Sequence, residues 1–386
     1  MFLILYFIIT ARRAPLGKVI FRPASYEYPF LRDTVFGMLE DTDGKIITQG
    51  SSVLIKPNLL SPALPHQAIT THPMLIRAVA EYAIERGARV TVSDSSAVGT
   101  FEKVITTNGV KEALHGLELA LAPLEDSVKV DTGRKFKTIE LSREVLDADI
   151  VINLPKLKTH AQMGMTMAVK NLFGCVVGLR KPEWHYRVGE DKQLFAELLA
   201  TIYMHIRPAI NLMDAVLAME GQGPGTRGTP REVGYLIGGT DALEVDMAAT
   251  RLVGMEPMEL MTTSAAINLG CQATEPEVEG FPGVLEGYVI PESMDLVFGP
   301  RFTRGFFRRQ VADRPSNIEG LCKYCNECVK ICPAKAIVNI GGALKFNYDK
   351  CIRCYCCVEI CPHSAMEKRS TWLKRLMKRL HAVRRK

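Results

Sequence analysis

The sequence predicts an α/β protein built on a mainly parallel sheet with helices on both faces, followed by a small α+β module at the carboxyl end. Three observations carry that prediction. Short β-branched runs alternate with helix-period segments from Lys18 to Phe298, several of the runs are apolar without interruption, and nine of the eleven cysteines fall between Cys322 and Cys361. Uninterrupted apolar strands separated by helices suit a parallel sheet, because both of its faces are covered.

At 386 residues the chain has room for two or three packed units, and 47% hydrophobic with 23% charged residues is the composition of an ordinary globular protein. Disorder, collagen and a polytopic membrane protein are excluded. The formal charge is +6, but Glu367 to Lys386 hold nine basic residues and one acid, and without them the balance is −2. Basicity therefore belongs to a tail, and no nucleic-acid partner is expected.

At the amino end, Phe2 to Ile9 is apolar, no positive residue precedes it, and Arg12 and Arg13 follow. So short a run cannot span ~30 Å of hydrocarbon. It reads as an extra edge strand or a start codon taken too far upstream, with a signal or anchor as the lesser alternative. Strands are then expected at Lys18 to Phe21, Val53 to Lys56, Arg89 to Ser93, Ile150 to Leu154, Ala209 to Met213 and Gly234 to Ile237. Helices are expected at Pro73 to Arg86, Phe101 to Leu114, Leu194 to His205 and Ala242 to Leu252. This α/β domain is assigned to residues 18–298. Glu220 to Pro230, dense in Gly and Pro, reads as a loop that either covers the site or merely connects two strands. Residues 299–315 carry Gly, Pro and five Arg and read as a surface connector, and the second module is assigned to 316–366.

Residues 367–386 form the basic tail. At 100° per residue Trp372, Leu373, Leu376, Met377, Leu380 and Val383 fall within an arc of about 140°. Lys374, Arg375, Lys378, Arg379 and Arg385 lie opposite. A helix of this kind suits peripheral contact with an anionic membrane surface, or a stripe packed on its own protein.

The cysteines form two runs, Cys322-x-x-Cys325-x-x-Cys328-x-x-x-Cys332-Pro333 and Cys351-x-x-Cys354-x-x-Cys357-x-x-x-Cys361-Pro362. Three thiolates at this spacing can wrap one iron-sulfur cube, while the fourth lies too far along the following helix and reaches the other. The expected assignment is Cys322, Cys325, Cys328 and Cys361 on one 4Fe-4S cluster, with Cys351, Cys354, Cys357 and Cys332 on the second. Zinc would need four ligands per site and gives no reason for these offsets followed by Pro. Free thiolates imply a reducing, cytoplasmic location. Cys356 stands outside the ligand pattern and reads as a buried spare thiol. The segment resembles bacterial-type two-cluster ferredoxins, including Ala336 to Asp349, whose Gly341-Gly342 suits a hairpin turn. Such cubes exchange single electrons, so a redox partner protein is expected.

In an open parallel sheet, ligands bind beyond the carboxyl ends of the strands. Several expected strands run there into polar residues: Lys56-Pro57-Asn58, Ser93-Asp94-Ser95-Ser96, Asn153 to His160, and Met213-Asp214. Thr70 to Pro73, Lys170-Asn171, Gly174 and His185 add to the set, which is expected to converge on one crevice. Lys56, Lys156, Lys158 and Lys170 could bind a carboxylate or phosphate. His72, His160 or His185 could move protons, with Asp94 or Asp214 orienting one of them. Lys158, His160, Asp94 and Lys56 are the candidate catalytic residues. No H-x-x-x-H or E-x-x-H pair supports a metal among them, and neither a P-loop nor a dinucleotide fingerprint is present, so ATP and NAD are not indicated.

With those residues in view, the large domain resembles the family named domain of unknown function 362. The matching segments are IKPNLL, TTHP, SDSSAVG, DADIVINLPKLKTH, AVKNLFGCVVGLRK, MDAVLAMEGQGPGTRGTPRE and DALEVDMAA. The resemblance runs from Lys18 to Phe298, includes the fusion to a two-cluster ferredoxin, and implies an intracellular prokaryotic iron-sulfur protein. The residues before Lys18 look foreign to it. Two functional readings stand open. In one, an iron-sulfur oxidoreductase relays electrons to a small anionic substrate or cofactor in the α/β domain. In the other, a non-catalytic electron-transfer or cluster-delivery subunit docks a protein partner.

Overall fold

The computed structural model describes residues 17–178, 180–189, 191–272, 275–291 and 313–371. The apolar amino end, most of the expected connector and the expected tail helix lie outside the described residues. Twelve strands belong to the large domain: β1 (Lys18–Pro23), β2 (Ser52–Pro57), β3 (Arg89–Val92), β4 (Ala120–Leu121), β5 (Ser127–Asp131), β6 (Thr138–Ser142), β7 (Ile150–Leu154), β8 (Lys156–His160), β9 (Gly164–Thr166), β10 (Ile210–Gly221), β11 (Gly228–Gly239) and β12 (Glu277–Glu279). Ten form one sheet, in the order β12-β1-β11-β10-β7-β2-β3-β4, with β8 beside β10 and β9 beside β8. From β10 to β4 the neighbours are parallel, while β11 runs antiparallel to both β1 and β10. The sheet is thus mainly parallel, as the apolar runs require.

Successive side chains point to opposite faces of a strand, and here each face has its own core. Val53 and Ile55 of β2, Ile150 and Ile152 of β7, and Ile210 and Leu212 of β10 pack with Leu31, Val35, Leu75 and Val79 from helices Tyr28–Asp41 and Pro73–Glu85. Leu54, Val151 and Met213 point the other way, onto Phe195, Leu199, Val245 and Ala249 of helices Lys192–Ile206 and Ala242–Leu252. Full burial of one such side chain contributes about 1.5–3 kcal/mol.

Three elements depart from expectation. The Phe101 to Leu114 helix is broken into Phe101–Thr107 and Val110–Ala113. Gly109 between them is left-handed at φ 81, and the Asn108 carboxamide accepts the Val110 N–H at 3.1 Å. Glu220 to Pro230 is loop only over 222–227: β10 and β11, twelve residues each, run into it from both sides. Lys156–His160, read as the polar end of a strand, is itself a strand after the interruption at Pro155, whose carbonyl accepts the Asp214 N–H.

The carboxyl-terminal module opens with β13 (Arg314–Asn317), which pairs antiparallel with β16 (Met366–Arg369). It therefore takes in two residues assigned to the connector and three assigned to the tail. Between them β14 (Ile337–Ile340) and β15 (Ala343–Phe346) form the expected hairpin, turning through Gly341 at φ 58 and Gly342 at φ 77. The two cysteine runs repeat one backbone path: Tyr324, Asn326 and Lys335 are left-handed, and so are Arg353, Tyr355 and Ser364 at the equivalent offsets.

The module is seated on the tip of the β10–β11 hairpin. Thr226 donates its hydroxyl to the Cys361 carbonyl at 3.0 Å, Ser364 bonds Thr226, and Arg227 donates to the carbonyls of Ser364 and Met366. Lys368 reaches back to the Ala161 carbonyl at 2.8 Å. A Cβ on Gly225 would stand 2.4 Å from the Glu359 carbonyl oxygen, so the approach needs glycine there.

Candidate functional site

In-register pairing brings the polar strand ends together. Lys56 lies beside Asn153 and Ile55 beside Val92, so the residues that follow β2, β3 and β7 emerge at one edge of the sheet. The carboxyl-terminal module closes the far side of a cavity of about 340 Å³ through Ile331, Cys356, Glu359 and Ile360, and these strand ends supply its near wall.

Lys158 is buried on this wall. Its ammonium donates to Asn58 Oδ1 at 2.8 Å and to the Ile69 carbonyl at 2.5 Å. Asn58 then opens a chain of carboxamides. Its Nδ2 donates to Asn171 Oδ1, Asn171 Nδ2 to Asn153 Oδ1, and Asn153 Nδ2 to Asn211 Oδ1, at 2.8, 2.8 and 2.9 Å. The chain fixes every amide orientation, so Asn58 presents oxygen to the lysine. Burial, with Lys170 and Lys156 nearby, holds the Lys158 ammonium well below its usual range. Burial likewise lowers Lys170, against Glu359 and Cys356, and brings Lys181 to about 8. Three lysines thus line one partly dry pocket, where an anion is the natural counterpart.

His160 accepts the Gln162 and Met163 backbone N–H groups at Nδ1, at 3.1 and 3.2 Å, which places its proton on Nε2. Burial first, then the cations Lys170 and Lys368, push its pKa well below the ordinary value, so the ring is neutral. Nε2 lies 3.4 Å from Glu359 Oε1. That carboxyl is pushed up to about 7 by burial, opposed by Lys170, Lys368 and Lys158. His185 also lines the cavity, packed on Phe195 at 4.6 Å, and burial lowers it to about 3.

Asp94 lines the cavity but its charge is committed. Oδ1 pairs with Lys56 at 2.9 Å and Oδ2 accepts the Leu59 N–H at 2.8 Å. Lys56 is wholly buried and does not reach the cavity wall. A Cβ at Gly174 would stand 2.3 Å from Asp94 Oδ1 and 2.6 Å from Lys56 Nζ, so the pair depends on that glycine. Neither Asp94 nor Asp214 orients a histidine ring; the carboxylate facing His160 is Glu359, from the other module.

The expected convergence is therefore partial. Asp214 pairs with Lys156 at 2.8 Å, and it accepts from Tyr26 Oη at 2.7 Å and the His72 N–H at 2.9 Å. The His72 ring stacks on Tyr26 at 3.6 Å, and burial lowers its pKa to about 4. Burial opposes the charge of Asp214, yet Lys156 and the donors hold it below the usual carboxylate range. This second network is closed on itself. The cause is a register shift between β8 and β10, whose pairing passes from Lys156 at Asp214 to Lys158 at Met219. That irregularity carries Lys158 and His160 to the cavity and leaves Lys156 behind.

The cysteines of the two runs lie close together in the carboxyl-terminal module. Cys322, Cys325, Cys328 and Cys361 line one small cavity. Cys357 and Cys351 are pushed up by burial and then by their neighbours, with Cys354 and Cys332 acting on both. Backbone N–H groups of Ala336 and Ala365 donate to Cys332 Sγ and Cys361 Sγ at 3.2 and 3.3 Å. Among the described residues no three His, Cys, Asp or Glu side chains are arranged around a single ion. Thiols that enclose a space fit a cube, which takes one thiolate per iron, better than a lone zinc. Cys356, outside the ligand pattern, is buried as expected but lines the large cavity, and its S–H lowers Cys354. Glu359, Cys356 and Lys181 were not singled out from the sequence as site residues, because each sits in a segment whose dominant signal is something else.

Residues 53–251 match the family described as Domain of unknown function (DUF362), and residues 314–362 match the 4Fe-4S dicluster domain. A thylakoid-associated protein of Synechocystis sp. is 36% identical over 299 residues, covering 75% of this chain and 92% of that one. The lactate racemase apoprotein from Thermoanaerobacterium thermosaccharolyticum aligns with a TM-score of 0.31 and 9% identity, over 58% of this chain and 54% of that one. No helix among the described residues is long and apolar enough to cross a membrane.

Proposed function

The chain belongs to the DUF362 family and carries a ferredoxin-type iron-sulfur domain, and from that premise we propose that it relays electrons from two 4Fe-4S clusters to a small anion bound between its modules. Cys322, Cys325, Cys328 and Cys361 would hold one cluster and Cys351, Cys354, Cys357 and Cys332 the other, each exchanging single electrons when bound. The observation that carries the reading is the shared wall. Cys356 and Glu359, on either side of the cluster ligand Cys357, line the same cavity as Lys158, Lys170 and His160. An anion held there would lie beside the short helix that carries Cys357. Lys158, Lys170 and Lys181 bind and orient it, and the neutral His160 ring orients it through a hydrogen bond from Nε2–H.

A redox partner protein supplies the electrons, and the cytoplasm is the proposed location. The relative's thylakoid association and the nine basic residues at the end of the chain support a peripheral contact between the tail and an anionic membrane surface.

The test is reoxidation of the reduced protein, followed by its visible absorbance under anaerobic conditions, on addition of small carboxylates and phosphates. An anion that reoxidises the wild type should leave Lys158→Ala reduced, with iron content unchanged. Loss of reoxidation in the cysteine variants alone, with Lys158→Ala behaving as wild type, would instead mark a carrier that does no chemistry in the cavity.

A further inference from the structure

The cavity offers more than its three lysines. Four residues that line it each carry a buried polar atom without a hydrogen-bond partner among the described residues: Ser96 Oγ, Thr166 Oγ1, His185 Nδ1 and Glu359 Oε1. They come from four separate segments: the turn after β3, strand β9, helix Arg180–Val188 and the cysteine-bearing module. Buried polar atoms are nearly always paired, so four unpartnered ones around one space give a polar ligand four places to bond. Thr166 is 3% and His185 8% exposed, so bulk solvent does not reach them freely.

The chemistry of these atoms narrows the ligand. Lys158, Lys170 and Lys181 call for an anionic group. Glu359 Oε1, which faces His160 Nε2 at 3.4 Å without a hydrogen bond to it, takes a donor, which a simple carboxylate lacks and a phosphate offers only while protonated, and the two hydroxyls can give or take. A volume of about 340 Å³ suits a molecule of metabolite size. We propose that the cavity selects a small anion bearing a hydroxyl or N–H donor, the anionic end held by the lysines and the donor by Glu359 Oε1, with Ser96, Thr166 and His185 completing the contacts. Glu359 is then a specificity residue supplied by the iron-sulfur module, so the pocket is complete only when the two modules are docked. This rests on the reading of the cavity as an anion site and adds the class of anion.

The experiment is calorimetric titration of the oxidised holoprotein with matched pairs: malate against succinate, glycolate against acetate, and glycerol 3-phosphate against n-propyl phosphate. Oxidised protein keeps binding separate from electron transfer. The expected result is that, in the carboxylate or the phosphate series, the hydroxylated member binds at least about tenfold tighter, as leaving a buried acceptor unpaired implies. That preference should disappear in Glu359→Ala and shrink in Thr166→Val, while the visible spectrum of the clusters stays unchanged. Anions that bind without regard to the hydroxyl, or a preference that survives in both variants, would overturn the inference and leave the anion site standing. No binding of any anion would remove the proposed function as well.

Discussion

The His160 imidazole faces the Glu359 carboxylate across the module boundary, Nε2 to Oε1 at 3.4 Å. One comes from the end of β8 and the other from the second cysteine run, so the docking of the two modules decides what His160 sees. Gly225 enforces that docking, since a Cβ there would stand 2.4 Å from the Glu359 carbonyl. Gly225→Ala should therefore loosen the module while leaving both parts folded. Limited proteolysis of the holoprotein should cut faster between residues 291 and 313, and anion-driven reoxidation should slow at unchanged iron content. Wild-type cleavage and rates would show that the contact is dispensable.

The buried pair of Lys56 and Asp94 predicts a stability effect without a direct ligand contact from the lysine. Asp94→Asn strands the Lys56 ammonium in a dry site and should cost about 3–5 kcal/mol. Gly174→Ala presses on the same pair and should cost about 1–3 kcal/mol. Chemical denaturation of each variant checks both, and losses under 0.5 kcal/mol would mean that solvent reaches the pair.

Lys181 sets a pH dependence. Its pKa is brought down to about 8, burial being the main cause, so its ammonium is charged below that pH and neutral above it. The contribution of Lys181 to anion affinity should thus be full below about pH 8 and fall as pH rises through it. In Lys181→Met the fall around pH 8 should flatten, with weaker binding throughout. A profile identical to the wild type would exclude Lys181 from the anion's contacts.

Cys356 and Cys357 are sequence neighbours with different expected roles. Cys357→Ala should lose iron, whereas Cys356→Ala should keep the wild-type iron content and alter only reoxidation by the anion. Equal iron loss in both would make Cys356 a ligand.

The last residues carry their own test. Removing residues 371–386 should release the protein from anionic vesicles in sedimentation, and unchanged sedimentation would refute a membrane contact through the tail.

Much of this was legible in the sequence, for identifiable reasons. Apolar runs such as Val53 to Lys56 marked strand positions because both faces of the sheet are buried, and the cysteine spacing marked the ferredoxin-type domain. Lys158 and His160 could be found because they end a strand. Lys156 and Asp214 gave the same local signal and still lie elsewhere, since a register shift between β8 and β10 has no marker in composition. Glu359 could not be found locally. Nothing in the cysteine run says that its outer face meets another domain, and only the packing of the hairpin tip against it makes that glutamate part of the cavity.

Iron and acid-labile sulfide analysis of anaerobically purified protein, joined to reduced-state electron paramagnetic resonance with and without a bound anion, tests the central claim most directly. The account predicts about eight irons per chain and a spectrum in which the anion perturbs one of two interacting clusters. Stoichiometric zinc without sulfide, or two clusters indifferent to every anion that binds, would contradict it.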